Sequence, residues 1–511
     1  MEQRKNYDSD FCGSLPIHLI NLIQPYGVLV ILNKKDLNII QVSENIETIT
    51  GLSPEQAVGV HFSNYIPSDQ LQDLQVKFAK NIKGKFPVNL TFTVNGKSVN
   101  FLALFHVEEE FLVVEMEEKK QENPAETLVN VYDEIKFAMA EINHASTAEE
   151  ICNTAITELK RLSGFDKIML YRFDEEWNGE VIAEVMEPGM ESYLGLRFPA
   201  SDIPKQARTL YLKNPYRLIP TINYTPVKIF PVINAVSNGF IDLSNCNLRS
   251  VPGVHLEYLK NMGVTASMST AVIKDDQLWG LIACHHGSEK FLTYEICSVF
   301  ELMGGIISGR IVSIANKEQL KESSHLQAIL AKLIRHVYLD DDPVTAITKH
   351  DVTILDLLNC DGAAIIYNKK MRTIGNVPGN YELKDLVLWL QEKKLDKVSS
   401  IPNLSEQYED AAAYANLGSG IIVLPIHAEK GEFIIGFRPE VVQKVNWGGN
   451  PNEAINFEKN NILYHPRNSF KIWQQTVKNT SLPWQNSILI VGESFRNFLI
   501  EYTLKKVYST M

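Results

Sequence analysis

The chain has 511 residues, enough for about three domains that each bury a core of their own. Its 61 acidic against 49 basic residues give a formal charge of −12, which excludes the basic stripe that captures phosphates, so neither nucleic acid nor a membrane surface is an expected partner. Six cysteines (Cys12, Cys152, Cys246, Cys284, Cys297, Cys360) are scattered without a CxxC pair, and no run of about 18 uncharged apolar residues occurs, so the expectation is a soluble cytoplasmic protein with no zinc site, disulfide framework or membrane span.

From Gln24 to Met116 the pattern is that of a small α+β domain. An apolar run at 28–32 reads as a strand, Ser53-Pro54-Glu55-Gln56 joins a capping box to proline at the first helical position, and Asn95-Gly96 between alternating apolar segments marks a hairpin turn. The acidic stretch 108–122 ends at Asn123-Pro124 and gives way to helical periodicity, whose second part opens with the capping box Thr147-Ala-Glu-Glu150. The first domain limit is placed there, giving domains 1–123 and 124–315. Over 168–286 strand signals flank long irregular stretches, among them 198–245, and close on an apolar strand at 278–284. Long loops inside a compact domain either serve a ligand or report a mistaken assignment. From 297 to 338 the chain is nearly free of breakers and repeats Leu326, Leu330, Leu333 and Val337 at helical spacing, which predicts one long helix joining two domains. The third region, 316–511, is again α+β, with strands at 420–425 and 433–437 about a turn at Lys430-Gly431, and a closing helix presenting Phe495, Phe498, Leu499 and Tyr502. The fold class is therefore α+β: three consecutive domains, each an antiparallel sheet flanked by helices, joined by long helices.

Three local patterns resemble one family. Cys12-Gly-Ser-Leu-Pro16-Ile17-His18 followed by Ile23-Gln24-Pro25-Tyr26-Gly27 is similar to the amino-terminal signature of bacterial phytochromes. Arg197-Phe198-Pro199-Ala200-Ser201-Asp202-Ile203-Pro204, with Leu281-Ile-Ala-Cys-His285-His286 downstream, resembles their chromophore-binding GAF domain. Trp447-Gly448-Gly449 with Pro466-Arg467-Asn468-Ser469-Phe470 resembles the tongue of their PHY domain. Their order implies a PAS, GAF, PHY arrangement with a tongue at about 438–480. The chain departs from the pattern at Asn21, where glycine is usual, at Tyr26, where histidine is usual, and at Pro252, where a serine commonly contacts a propionate.

The resemblance implies a covalent biliverdin IXα held as a thioether on Cys12, since a thiolate adds to an activated vinyl group from an accessible position. Plant and cyanobacterial relatives attach their bilin just before the GAF histidine, a position held here by Val254, which favours biliverdin over phycocyanobilin. Arg217 and Arg249 stand where the family places its propionate partners, a task for planar, permanently charged donors. Ser267 and Ser269 are weaker partners. Asp202 is expected to offer its main-chain oxygen to the pyrrole N–H groups and its carboxylate to Arg467, with Ile203 and Pro204 flanking it. His255 and His285 are the expected polar contacts in an apolar cavity, and Tyr171, Phe198, Tyr211 and Tyr258 the aromatic walls around the terminal ring.

The implied function is red/far-red photoreception without enzymatic turnover, in which Arg467 releases Asp202 when the tongue refolds and Ser469 takes its place. Phe470 and Ile472 alternate like a strand, whereas Phe470, Trp473 and Val477 line one helical face, which fits a strand-to-helix change. The implied partners are the bilin, a second copy of the chain through the long helices, and an output domain or response regulator. The alternatives are a light-independent PAS/GAF sensor of a small ligand and, from Cys12, His255 and His285, a Cys/His hydrolase that no nucleophile-elbow or triad motif supports.

Overall fold

A computed structural model describes residues 16–79, 84–94, 97–119, 128–340, 342–451, 455–457 and 464–510. Cys12, the Asn95-Gly96 turn and the Asn123-Pro124 junction lie outside them. The chain forms two compact units, Met1–Val312 with Asn446–Trp473, and Ser313–Val445 with Gln474–Met511.

The first unit begins with a seven-stranded sheet ordered Leu22–Ile23, Val227–Phe230, Ile39–Ser43, Val28–Asn33, Phe111–Glu118, Lys97–Val107 and Lys85–Val94. The second strand in that order comes from some 200 residues further along the chain than its neighbours, pairing Leu22 with Lys228 on one side and Ile229 with Ser43 on the other. The 28–32 run is indeed a strand, buried because its residues face core on both sides. At Ser53 the expected capping box forms, with Pro54 at the first helical position. Asn21 adopts φ 53°, a left-handed conformation that asparagine tolerates better than other non-glycine residues, and its amide donates to the Ile229 carbonyl at 3.2 Å. This accounts for asparagine at a position where glycine is usual.

The second sheet orders Tyr216–Ile219, Ala266–Lys274, Gln277–His286, Lys167–Phe173, Gly179–Met186 and Arg197–Phe198, and continues into Gln443–Gly448 and Ile472–Val477. Helix Ala148–Ser163, opened by the capping box at Thr147 and closed by Gly164 in the left-handed conformation, packs beside it. The irregular stretch expected at 198–245 is corrected here: it holds a 3₁₀ turn Ala200–Asp202, helix Lys205–Lys213 and strands Tyr216–Ile219 and Val227–Phe230. These pieces are short, and the strand Val227–Phe230 pairs only with segments remote in sequence, so no local period announces them. An antiparallel rule also has an exception, since Trp447 pairs with Arg197 in parallel.

The second unit holds a five-stranded antiparallel sheet ordered Lys370–Gly375, Gly362–Tyr367, Glu432–Arg438, Gly420–His427 and Ser399–Ile401. Gly431 makes the expected turn at φ 69°. Leu326, Leu330, Leu333 and Val337 pack with Ile488, Phe495 and Leu499 of helix Asn486–Thr510 in its core. The long helix runs Tyr294–Leu339. By length and composition one window of it is apolar enough to cross a membrane, with 44% of that window buried, a pattern shared with core helices of soluble proteins.

Candidate functional site

The GAF-like sheet and the two short helices beside it, Lys205–Lys213 and Gly253–Asn261, enclose a cavity of about 370 Å³, within the range of small-molecule sites. Every expected pocket residue inside the described chain lines it: Tyr171, Phe198, Asp202, Ile203, Pro204, Tyr211, Arg217, Arg249, His255, Tyr258, Ser267, Ser269 and His285. Strand alternation explains part of this, because Ser267 and Ser269 on one strand, Ala283 and His285 on the next, and Met169 and Tyr171 on the third point to one face. Met169, Tyr193, Gln206 and Tyr216 also line the cavity and belong to none of the motif segments. Alternation from Tyr171 would have found Met169, whereas Tyr193 sits on a loop with no period to read.

The two arginines dominate the electrostatics. Arg217 donates through Nη1 to the Asn247 carbonyl at 3.2 Å and through Nη2 to the Arg249 carbonyl. Arg249 is 6% exposed and reaches the Ile17 carbonyl at 3.5 Å, its Nε without a hydrogen-bond partner. Among the described residues no carboxylate lies within ion-pair distance of either guanidinium. Burial, and then the charge of Arg217, lowers the Arg249 pKa to about 9, and burial lowers that of Arg217 as well. Two like charges, one buried and one half-buried, face one cavity with no counter-ion among the described residues, which suits the cavity to an anionic group.

Beyond the arginines and Asp202 the lining carries no fixed charge and is largely apolar. Burial takes His285 down to about 3 and His255 to about 4; the His255 surface opens into the cavity, and nearby Arg217 adds to its shift. Both are uncharged imidazoles at neutral pH and can donate or accept one hydrogen bond per nitrogen. Tyr171 leans on Phe173 edge-on with ring centroids 5.2 Å apart. Gly179 makes room for the Tyr171 ring, since a Cβ there would meet it at 1.7 Å.

Asp202 closes one end. Its carboxylate accepts from Tyr258 Oη at 2.9 Å and pairs with Arg467, both side chains nearly fully buried. Burial pushes the Asp202 carboxyl above its ordinary value while Arg467 and Tyr258 pull it back, and Arg467 itself is held further up by the Asp202 charge. The Arg467 guanidinium also lies 5.3 Å from the Phe198 ring and 5.0 Å from Phe470. Helix Gly253–Asn261 serves both sides: His255 and Tyr258 line the cavity, while Glu257 holds His465 at 3.0 Å and Asn261 donates to the Arg467 carbonyl at 3.2 Å. No short-range sequence pattern marks these last two contacts, which join segments more than 200 residues apart. Phe470 is buried against Tyr258, edge-on at 5.2 Å; Trp473 is half-buried in the strand Ile472–Val477, and Ser469 is exposed.

Cys12 lies outside the described residues. The other five cysteines are free and buried, none lines the cavity, and burial pushes Cys152 and Cys360 up to about 12 and the remaining three well above their ordinary value. Among the described residues one cluster of metal-ligand type occurs, His106, Glu115 and Cys246, away from the cavity.

Family models described as PAS fold, GAF domain and phytochrome region match residues 12–119, 147–311 and 326–507. The chain is 37% identical over 501 residues to cyanobacterial phytochrome B of Nostoc sp., covering 98% of this chain and 67% of that protein. It is 32% identical to a bacteriophytochrome of Xanthomonas campestris, covering 98% and 79% respectively. Among solved structures, the Stigmatella aurantiaca phytochrome photosensory core module superposes with a TM-score of 0.83 at 32% identity, covering 98% of this chain and 99% of that one. A bacteriophytochrome from R. palustris reaches 0.85 at 29% identity, covering 97% and 99%.

Proposed function

The chain belongs to the phytochrome family, and on that premise we propose that it is the photosensory core of a red/far-red photoreceptor that carries biliverdin IXα covalently on Cys12. The observation that supports this most is the pair of arginines, half-buried Arg217 and buried Arg249, facing a cavity in which, among the described residues, no carboxylate lies within ion-pair distance of either. A linear tetrapyrrole fits that demand, because it brings two carboxylates together with a long apolar body for the aromatic walls. When bound, such a group supplies light absorption and isomerisation about a terminal double bond.

The remaining work falls to residues of the chain. Arg217 and Arg249 would hold the propionates, and the serines Ser267 and Ser269 would assist. Pro252 has no hydroxyl and no N–H, so it gives no such bond. Neutral His255 and His285 would meet the polar edges, and the Asp202 main chain the pyrrole nitrogens, with Ile203 and Pro204 packed beside it. Tyr171, Phe198, Tyr211 and Tyr258 would set the space in which the terminal ring turns. Attachment at Cys12 is supported by the burial of the other five thiols and by Val254 at the alternative position.

The output would pass through the tongue. Because the Asp202–Arg467 pair is buried, it is either made or left as an uncompensated charge, which suits a two-state element. Ser469, exposed two residues away, would replace Arg467 at Asp202 after a strand-to-helix change that also moves Trp473. Domain limits at 123 and 315, a homodimer through the long helices, a cytoplasmic location, an output domain or response regulator elsewhere and no enzymatic turnover complete the proposal.

Co-expression with a haem oxygenase tests it. A red-absorbing pigment that survives denaturation and bleaches reversibly under red and far-red light is expected, with Cys12→Ser retaining pigment only until denaturation. A colourless protein would instead support a light-independent sensor.

A further inference from the structure

The two cavity arginines are oriented less by the cavity than by the tripeptide Asn247–Leu248–Arg249. The Asn247 and Arg249 carbonyls both accept from the Arg217 guanidinium, and the Arg249 side chain itself faces the cavity. What fixes that tripeptide is found on the other side. The Leu248 N–H donates to Glu115 Oε2 at 2.6 Å, and the Leu248 carbonyl accepts from the Gln24 N–H at 2.7 Å. Glu115, 1% exposed in the strand Phe111–Glu118, is bonded through Oε1 to His106 Nε2 at 2.7 Å. Lys85 from the same sheet donates to the side-chain oxygens of Asn214 at 2.7 Å and Asn247 at 3.1 Å, and Asn247 Nδ2 donates to the cavity residue Tyr216 at 2.6 Å.

His106, Glu115 and Cys246 bring ligand-type atoms within 4.8 Å of one another. A cation is the poorer reading of that cluster, because the Glu115 oxygens are already engaged by His106 and the Leu248 N–H, and Lys85 supplies positive charge nearby. Glu115 is ionised: burial opposes its charge, but His106, Lys85 and the Leu248 N–H outweigh burial and hold its carboxyl below the ordinary value. A buried carboxylate that accepts a single loop N–H fixes that loop more firmly than a neutral acceptor would.

We propose that Glu115, in the PAS domain and outside the cavity, is a positioning residue that sets the register of Arg217 and Arg249 and thereby the recognition of the ligand's carboxylates. This rests on the bilin reading of the cavity. It assigns to the PAS domain a part in chromophore selection that no cavity-lining residue reveals.

The test crosses variants with ligands in a Cys12→Ser background, where binding is reversible. Biliverdin and its dimethyl ester, which lacks the free carboxylates, are titrated into the parent, Glu115→Ala, Glu115→Asp and Glu115→Gln, with circular dichroism as the check on folding. Glu115→Ala and Glu115→Asp, which cannot reach both His106 and the Leu248 N–H, are expected to lose about tenfold in biliverdin affinity and less than about twofold for the ester. Glu115→Gln, which keeps a neutral acceptor for Leu248 but not the charge, is expected to recover part of the difference. If Glu115→Ala does not fold, Glu115→Asp decides. Equal losses for both ligands, or no loss for biliverdin, would overturn the proposal. Failure of the parent to bind either ligand would overturn the bilin reading itself, and with it this inference.

Discussion

Asp202 and Arg467 bring an anion and a cation into a nearly dry contact, roofed by Phe198 and Phe470. Removing one partner of such a pair strands the other, at a typical cost of about 3–5 kcal/mol. Asp202→Ala should therefore loosen the segment 464–473, read as faster amide exchange there, and should leave pigment bound while impairing stable photoconversion. A full red/far-red cycle in that variant would sink the switching role of the pair. His285 gives a second expectation. Its folded pKa, about 3, lies below the unfolded value near 6.5, so the unfolded chain binds more protons between those limits. Stability contributed by the neutral ring is complete above pH 6.5 and is lost as pH falls toward 3, by a few kcal/mol at most. Replacing His285 by Gln should flatten that acid slope in chemical denaturation; an unchanged slope would place the sensitivity elsewhere.

At the scale of elements, two glycines of the tongue sit in close approaches. A Cβ on Gly448 would meet the Phe198 ring at 2.7 Å, and Gly449, at φ 99°, would direct one toward the Ser469 carbonyl at 2.4 Å. Gly448→Ala should cost about 1–3 kcal/mol through overpacking against an aromatic ring that also lines the cavity. Its expected signature is a shifted absorption band together with faster exchange over 446–449; a wild-type spectrum and exchange pattern would show that Phe198 yields without consequence. Helix Gly253–Asn261 is the reciprocal element. Its cavity-lining and tongue-binding residues alternate within three turns, so displacement of either set is felt by the other.

On the scale of the molecule, each unit has its own core, and the consequences of mutation should divide accordingly. Leu333 is fully buried among side chains of the second unit, so Leu333→Ala should lower that unit's stability by about 2–5 kcal/mol. Pigment uptake, which depends on the first unit, should stay at the parental level, and a parallel loss of uptake would contradict that division. Within the first unit the reverse holds. The strand Val227–Phe230 completes the sheet that carries Glu115, so the PAS and GAF parts share one sheet and should unfold together.

Much of this was readable along the chain. Helix Tyr294–Leu339, the capping boxes at Ser53 and Thr147, and the strands about Lys430-Gly431 follow from short-range periodicity and backbone preference, which the sequence alone carries. The pocket residues were legible through motif resemblance and, for Ser267, Ser269 and His285, through strand alternation. Only the tertiary structure decided that residues 227–230 enter a sheet with strands some 200 positions earlier, that Tyr258 meets both Asp202 and Phe470, and that Glu115 reaches Leu248. Those pairings leave no period in the sequence because hydrogen bonds and buried charges between remote segments are chosen by packing, and packing exists only once the chain has closed on itself.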